Sequence, residues 1–150
     1  MEYILRKATA EDAGRINDLF IEMLQTIFED ENVEGYKPGD LDYYFSGNED
    51  WICVAEAAGE IVGFLSIEVH REEENFLYYD DFSVSRNYRG MGIGTALMAE
   101  AEKYCRTLGF NTIVLHVEKS NSSARRLYER SGFEILRDDG HRLCLVKHLK

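Results

Sequence analysis

The chain has 150 residues, 45% of them hydrophobic, which suits one sizeable core and is too short for two ordinary domains. Its net charge of −11 argues against nucleic acid as a partner, because nucleic-acid binding requires a basic surface. No segment approaches the roughly 18 apolar residues of a membrane span, and the charged start is unlike a signal peptide, so we expect a soluble cytoplasmic protein that binds no membrane.

The charge is divided unevenly along the chain. Residues 1–85 carry 21 acidic and 5 basic side chains, whereas residues 86–150 carry 7 acidic and 12 basic ones. The first part therefore favours a cationic ligand and the second a polyanionic one. The three cysteines are far apart in apolar stretches, and the four histidines show no metal-binding spacing, so neither a disulfide nor a metal site is predicted.

The first half of the chain predicts a strand, a helix and a hairpin. Residues 3–8 are typical of a strand, and Thr9 with Asp12 indicates a helix start. Apolar residues then recur at spacings of three and four, which predicts an amphipathic helix; they are Ile16, Leu19, Phe20, Met23, Leu24 and Ile27. A short helix between loops is expected within 33–50, followed by two strands around the turn Ala58-Gly59.

The second half predicts a third strand of this meander, a glycine-rich turn and alternating helices and strands. The helix after the turn ends at Gly109. The remaining predicted elements are strands at 75–85, 112–117, 133–137 and 142–148, and a helix at 121–130. This order predicts a mixed α/β (α+β) sheet with helices on both faces.

The strongest functional signal is the turn Arg89-Gly90-Met91-Gly92-Ile93-Gly94, which lies between a strand and a helix. Glycine lets the backbone approach a ligand, and the helix N-terminus adds partial positive charge, so the turn predicts a phosphate site. No Gly-Lys-Ser/Thr follows, which excludes a P-loop NTPase. The dinucleotide fingerprint also fails, although Glu118 lies about where that fold places its ribose-binding acid, and a degenerate nicotinamide-binding enzyme stays the alternative.

Arg89-x-x-Gly92-x-Gly94, after a strand that ends Phe82-Ser83-Val84, resembles the signature of the GNAT superfamily of N-acetyltransferases. Asn121-x-x-Ala124-x-x-x-Tyr128-x-x-x-Gly132-Phe133 is similar to the family's second signature. The resemblance covers the whole chain and implies one N-acetyltransferase domain over 1–150. It implies about seven mostly antiparallel strands, splayed between the fourth and fifth, with acetyl-CoA in the cleft.

The resemblance also implies which residues meet the cofactor. The strand residues would pair with the pantetheine arm, the turn amides would hold the pyrophosphate, and the start of the following helix would assist. These residues are Phe82, Ser83, Val84, Arg89, Gly90, Met91, Gly92, Ile93, Gly94, Thr95, Asn121, Ser123 and Arg126. Asn121 is equally well read as an ordinary helix N-cap.

One acid and three possible bases are candidates for the chemical step. Tyr128 matches the family's general acid, and a tyrosine pKa near 10 leaves it protonated at neutral pH. Without the second signature, a core aromatic would be the preferred interpretation of Tyr128. Asp80 and Asp81 precede the pantetheine-pairing residues and resemble the acidic strand of the diamine acetyltransferase branch. Strand alternation predicts that only one faces the cleft unless a bulge intervenes, and Glu68 is a third candidate base.

The sequence thus predicts direct acetyl transfer in a ternary complex to a cationic amine, such as a polyamine, an aminoglycoside or a basic peptide terminus. A coenzyme A-binding sensor without turnover is the non-enzyme alternative. By the resemblance, residues 20–50 build the acceptor pocket in the family's most variable region, so the acceptor is left open. Exposed edge strands favour a homodimer.

Overall fold

Residues 2–150, which the computed structural model describes, form seven strands and three α-helices. The strands are β1 (Ile4–Lys7), β2 (Trp51–Ala57), β3 (Glu60–His70), β4 (Phe76–Val84), β5 (Thr112–Glu118), β6 (Glu134–Asp138) and β7 (Arg142–His148). The helices are α1 (Ala13–Phe28), α2 (Ile93–Thr107) and α3 (Ser122–Arg130). Short 3₁₀ turns cover 10–12, 42–45 and 86–88. None of the helices in this part of the chain is long and apolar enough to cross a membrane.

All seven strands belong to one sheet with the order β1-β2-β3-β4-β5-β7-β6. Every neighbouring pair is antiparallel except β4 and β5, which are parallel. The predicted fold class is confirmed. Strands β1 and β6 are the two edges, and the homodimer expected from exposed edges stays a prediction.

The sheet is covered on both faces because its central strands alternate between two apolar cores. Ile52, Val54 and Phe64 pack with Ile16 and Leu19 of α1 on one face. On the other face the intervening residues of the same strands pack against α2 and α3. All of these α1-side residues are fully buried, so the two faces together fix the sheet between the helices.

Candidate active site

The sheet opens between β4 and β5. The two strands pair at only three positions, of which Tyr79 opposite Leu115 is the last. Beyond that point β4 continues to Val84 and stays paired with β3 on its other side. One edge of β4 therefore faces a cleft with unpaired backbone groups, which an extended ligand can use as a strand would.

The glycines of the turn have two different physical roles. Gly90 and Gly92 have φ of +77° and +82°, which side-chain-bearing residues rarely adopt. Gly94 is inside α2, where a Cβ atom would lie 3.2 Å from Phe82 Cζ and 3.4 Å from Leu127 Cδ2. Two glycines thus allow the bend and the third keeps space open beside the first turn of α2.

We call the cavity at this turn the turn cavity, and its volume is about 290 Å³. It collects residues of β4, the turn and α3 that the sequence predicted as cofactor-binding, together with Tyr128. They are Phe82, Ser83, Val84, Arg89, Gly90, Gly92, Ile93, Gly94, Thr95, Asn121 and Ser123. Met91 and Arg126, predicted with them, are exposed and lie outside the lining.

Arg130 lines the turn cavity in place of Arg126. Ser123, Leu127 and Arg130 follow the i, i+4, i+7 spacing of one helix face, and Arg126, three residues after Ser123, is exposed at the edge of that face. Helical spacing counted from Ser123 could have found Arg130. The sequence analysis also missed the α1 residues Met23, Thr26 and Ile27, whose approach to the turn depends on tertiary packing.

Two polar side chains fix the ends of this cavity. Arg89 donates from Nε to the Val84 carbonyl at 3.0 Å, which holds the guanidinium beside the turn. Asn121 caps α3, because its Oδ1 accepts from the Ala124 amide at 3.4 Å. The cap interpretation of Asn121 is therefore observed, and its side chain lines the cavity as well.

Tyr128 is 6% exposed and lies where the turn cavity meets a second cavity, since it lines both. Its ring packs against Phe133, with centroids 5.6 Å apart. Its hydroxyl makes no hydrogen bond to another residue of the described range 2–150, and it is therefore free to bond a group in these cavities. Burial, with Asp81 nearby, raises the pKa of Tyr128, and the phenol therefore stays protonated at neutral pH.

The second cavity, which we call the carboxylate cavity, contains both Asp80 and Asp81. The β3–β4 register shifts here, from Leu65 opposite Phe82 to Ile67 opposite Tyr79. Two residues of β4 therefore oppose one residue of β3, which is a β-bulge. The bulge is the exception to strand alternation, and it brings both carboxylates to the α1 side of the sheet.

The two carboxylates differ in their partners. Asp81 accepts a hydrogen bond from the Tyr36 hydroxyl at 2.6 Å, whereas Asp80 has a longer 3.3 Å contact with the Tyr44 hydroxyl. Tyr44 also donates to Glu68 at 3.0 Å, and Glu68 lines neither cavity. Glu68 thus lies outside the cavity, where it shares the Tyr44 hydroxyl with Asp80.

Crowding of these acids affects their ionisation. Burial, then repulsion from Asp81 and Glu68, raises the pKa of Asp80 to about 7. Burial also raises the pKa of Asp81, but the hydrogen bond from Tyr36 opposes this shift because it favours the ionised form. At neutral pH Asp80 is therefore the carboxylate placed to exchange a proton, and it is the more exposed of the two.

The rest of the carboxylate cavity is apolar on one side and polar on the other. Its apolar wall is the α1 wall, which we define as Phe20, Met23, Leu24, Ile27 and Phe28. Its far rim has Tyr78, His116, Glu118 and Arg142. The Tyr78 hydroxyl bonds His116 Nδ1 at 2.6 Å, and His116 Nε2 lies 3.3 Å from Asp139.

Comparison with known proteins links this arrangement to one family. The model of the acetyltransferase (GNAT) family matches residues 18–133, which is more than half of the chain. The chain is 37% identical over 103 residues to the 5-NmdU N-acetyltransferase of Pseudomonas phage PaMx11, covering 67% of this chain and 70% of that protein. It is also 37% identical over 78 residues to the uncharacterised N-acetyltransferase YycN of Bacillus subtilis. That match covers 50% of this chain, and the chain spans about half (49%) of YycN's length.

Solved structures share the fold at lower sequence identity. The PaiA N-acetyltransferase of Thermoplasma acidophilum, in complex with coenzyme A, superposes with a TM-score of 0.82. The alignment covers 99% of each chain at 19% identity. At this identity the likeness concerns the fold.

Proposed function

We propose that this chain, which belongs to the GNAT family of acetyltransferases, uses acetyl-CoA to acetylate a cationic primary amine by direct transfer in a ternary complex. The observation that carries the proposal is Tyr128 at the junction of the turn cavity and the carboxylate cavity. A donor held on one side and an amine held on the other would meet beside its hydroxyl. We treat residues 1–150 as the catalytic domain.

The turn cavity fits acetyl-CoA. It combines an unpaired edge of β4 at Phe82–Val84 with the first amides of α2, and any Cβ at Gly94 would intrude on it. We propose that this edge binds the pantetheine arm and that the turn amides bind the pyrophosphate. Bound acetyl-CoA supplies a thioester whose acetyl carbon is open to attack by an amine.

The carboxylates would supply the acceptor side of the reaction. The Asp81 carboxylate, which accepts a hydrogen bond from Tyr36, binds the positively charged ammonium of the acceptor. Asp80 takes a proton from it, because a base with a pKa of about 7 is matched to neutral pH. Tyr128 then holds a proton for the thiolate that is released, since a buried phenol stays protonated until that charge develops.

Direct transfer is supported by the state of the cysteines. Cys53, Cys105 and Cys144 are all buried, and none lines either cavity. Burial raises the pKa of each thiol, for Cys53 to about 12. A thiol that stays protonated in the core is not an acyl-accepting nucleophile.

We expect acetyl-CoA to stabilise the fold and NAD to leave it unchanged. A ligand at 100 times its Kd adds about 2.7 kcal/mol, or roughly 5–10 °C in Tm for a chain of this size. Thermal melting with each ligand checks this. A shift with NAD alone would contradict the proposal, and a shift with acetyl-CoA but no thiol release with any amine would favour a coenzyme A sensor.

Replacing Asp80 by Asn should remove the base. In the wild type, Asp80 must lose its proton to act, so kcat/KM should rise as the pH increases through about 7. The Asp80→Asn variant should have a kcat roughly 100-fold lower than the wild type. Its kcat/KM should also no longer rise with pH near pH 7. Asp81→Asn, by comparison, should mainly raise KM, because it removes an anchoring charge. Wild-type pH profiles in both variants would show that neither carboxylate takes part.

A further inference from the structure

The C-terminal half of α1 presents apolar side chains that the core does not use. Ile16 and Leu19, near its start, are completely buried against the sheet. In contrast, Leu24, Ile27 and Phe28 pack into neither apolar core, and Phe28 is 52% exposed. An apolar stripe left open within a cavity is expected to contact a ligand.

This α1 wall belongs to the same cavity as the carboxylates. Leu24 and Phe28 line the carboxylate cavity together with Asp80 and Asp81. Tyr36 joins the two sides, because its ring stacks on Phe20 at 4.1 Å while its hydroxyl donates to Asp81 at 2.6 Å. An apolar surface and an anionic one thus meet in a cleft of about 230 Å³.

The far rim of the cavity carries one cation and one anion, so it is not a second anionic site like the Asp80–Asp81 pair. Arg142 lines it, and within residues 2–150 its guanidinium forms no ion pair. Glu118, its neighbour across the β5–β7 pair, is bonded to His141 at 2.8 Å. A second ammonium would therefore meet either the opposite charges of Arg142 and Glu118 at the rim or the apolar α1 wall, and removing a charge from water against an apolar wall is costly.

We propose that the acceptor is an amphipathic primary amine, in which one ammonium carries a bulky apolar substituent. This inference rests on the proposed function and narrows it. The ammonium binds between Asp80 and Asp81, and the substituent covers the α1 wall. Polyamines and aminoglycosides, with several charges and little apolar surface, fit this cavity poorly. An arylalkylamine and a peptide whose first residue is large and apolar share the required chemistry.

An acceptor panel tests the inference. Thiol release from acetyl-CoA would be measured with phenethylamine, hexylamine, ethylamine, putrescine and an aminoglycoside, and with peptides that begin with Leu or Gly. Each buried methylene contributes roughly fourfold or more, so phenethylamine and hexylamine, which cover several more carbons of the wall, should exceed ethylamine and putrescine by at least about 10-fold in kcat/KM. The two peptides separate a peptide acceptor from a small amine, and preference for the Leu peptide also supports the inference.

Variants of the α1 wall provide the second test. Phe28→Gln and Leu24→Gln should lower kcat/KM for phenethylamine about 10-fold, mainly through KM, and change it less than about twofold for ethylamine. Ile4→Gln is the matched control, because Ile4 is 57% exposed on β1 and lies in neither cavity. Ile4→Gln should leave kcat/KM unchanged for both phenethylamine and ethylamine.

Three outcomes would overturn the inference. Putrescine or the aminoglycoside as the best acceptor would do so while leaving the proposed function intact. If Phe28→Gln and Leu24→Gln lowered kcat/KM equally for phenethylamine and for ethylamine, the α1 wall would have only a structural role. No turnover with any amine would refute the proposed function itself and this inference with it.

Discussion

Replacing Tyr128 by Phe should lower kcat roughly 100- to 10,000-fold, the usual contribution of a positioned general acid. The change removes one hydroxyl that faces the two cavities and leaves the ring packed against Phe133. Because the proton is needed only as the thiolate forms, the Kd for acetyl-CoA should change little. The rate of thiol release gives kcat, and calorimetric titration with acetyl-CoA gives Kd.

Tyr79→Phe is the control for losing a buried tyrosine hydroxyl. Tyr79 is 1% exposed in the core on the α2 side, and its hydroxyl contacts the Met98 carbonyl at 3.5 Å. It lines neither cavity, so this variant should retain wild-type kcat. If Tyr128→Phe also kept wild-type rates with every active acceptor, Tyr128 would be a core aromatic and the proposed proton donor would have to be another group.

Replacing Gly94 by Leu should weaken acetyl-CoA binding roughly 10- to 100-fold. A Cβ at this position already lies 3.2 Å from Phe82, and the longer side chain would occupy space that the turn cavity leaves for the ligand. Overpacking in a core costs about 1–3 kcal/mol, and we expect a similar cost when the leucine competes with the bound ligand for this space; each 1.4 kcal/mol is a factor of about ten in Kd. Titration with acetyl-CoA gives the affinity, and melting of the free protein gives the stability.

Gly14→Leu is the matched control for Gly94→Leu. Gly14 is also helical, and nothing lies within 4 Å of a Cβ placed there. Both substitutions improve helix propensity by up to about 1 kcal/mol. Gly14→Leu should bind acetyl-CoA normally, and unchanged affinity in Gly94→Leu as well would mean that this face of α2 does not hold the cofactor.

The elements that the sequence predicted correctly are those specified by short-range patterns. Apolar spacing of three and four located α1, and the turn Ala58-Gly59 located the β2–β3 hairpin. The glycine turn and the spacing from Asn121 to Tyr128 located most of the turn cavity. Arg126 lies outside the lining of this cavity and Arg130 lies within it, and the cofactor role predicted for Arg126 stays a prediction.

The acceptor side of the site depended on contacts between distant parts of the chain. Alternation along β4 alone would separate Asp80 from Asp81, and the bulge that unites them is defined by its register against β3. Tyr36 reaches Asp81 across 45 residues of sequence. The α1 pattern fixes an amphipathic helix, but it does not determine which apolar residues the sheet covers and which remain open to the cleft.

The sequence by itself therefore determined the family, the order of the secondary-structure elements and the position of the glycine turn, because each is encoded by residues within a few positions of one another. Only the tertiary structure decided that both carboxylates share one cavity, that their pKa values respond to crowding, and that an apolar helix face lies opposite them. The physical reason is that burial, strand register and electrostatic coupling are set by neighbours in space, and these neighbours come from segments far apart in the chain.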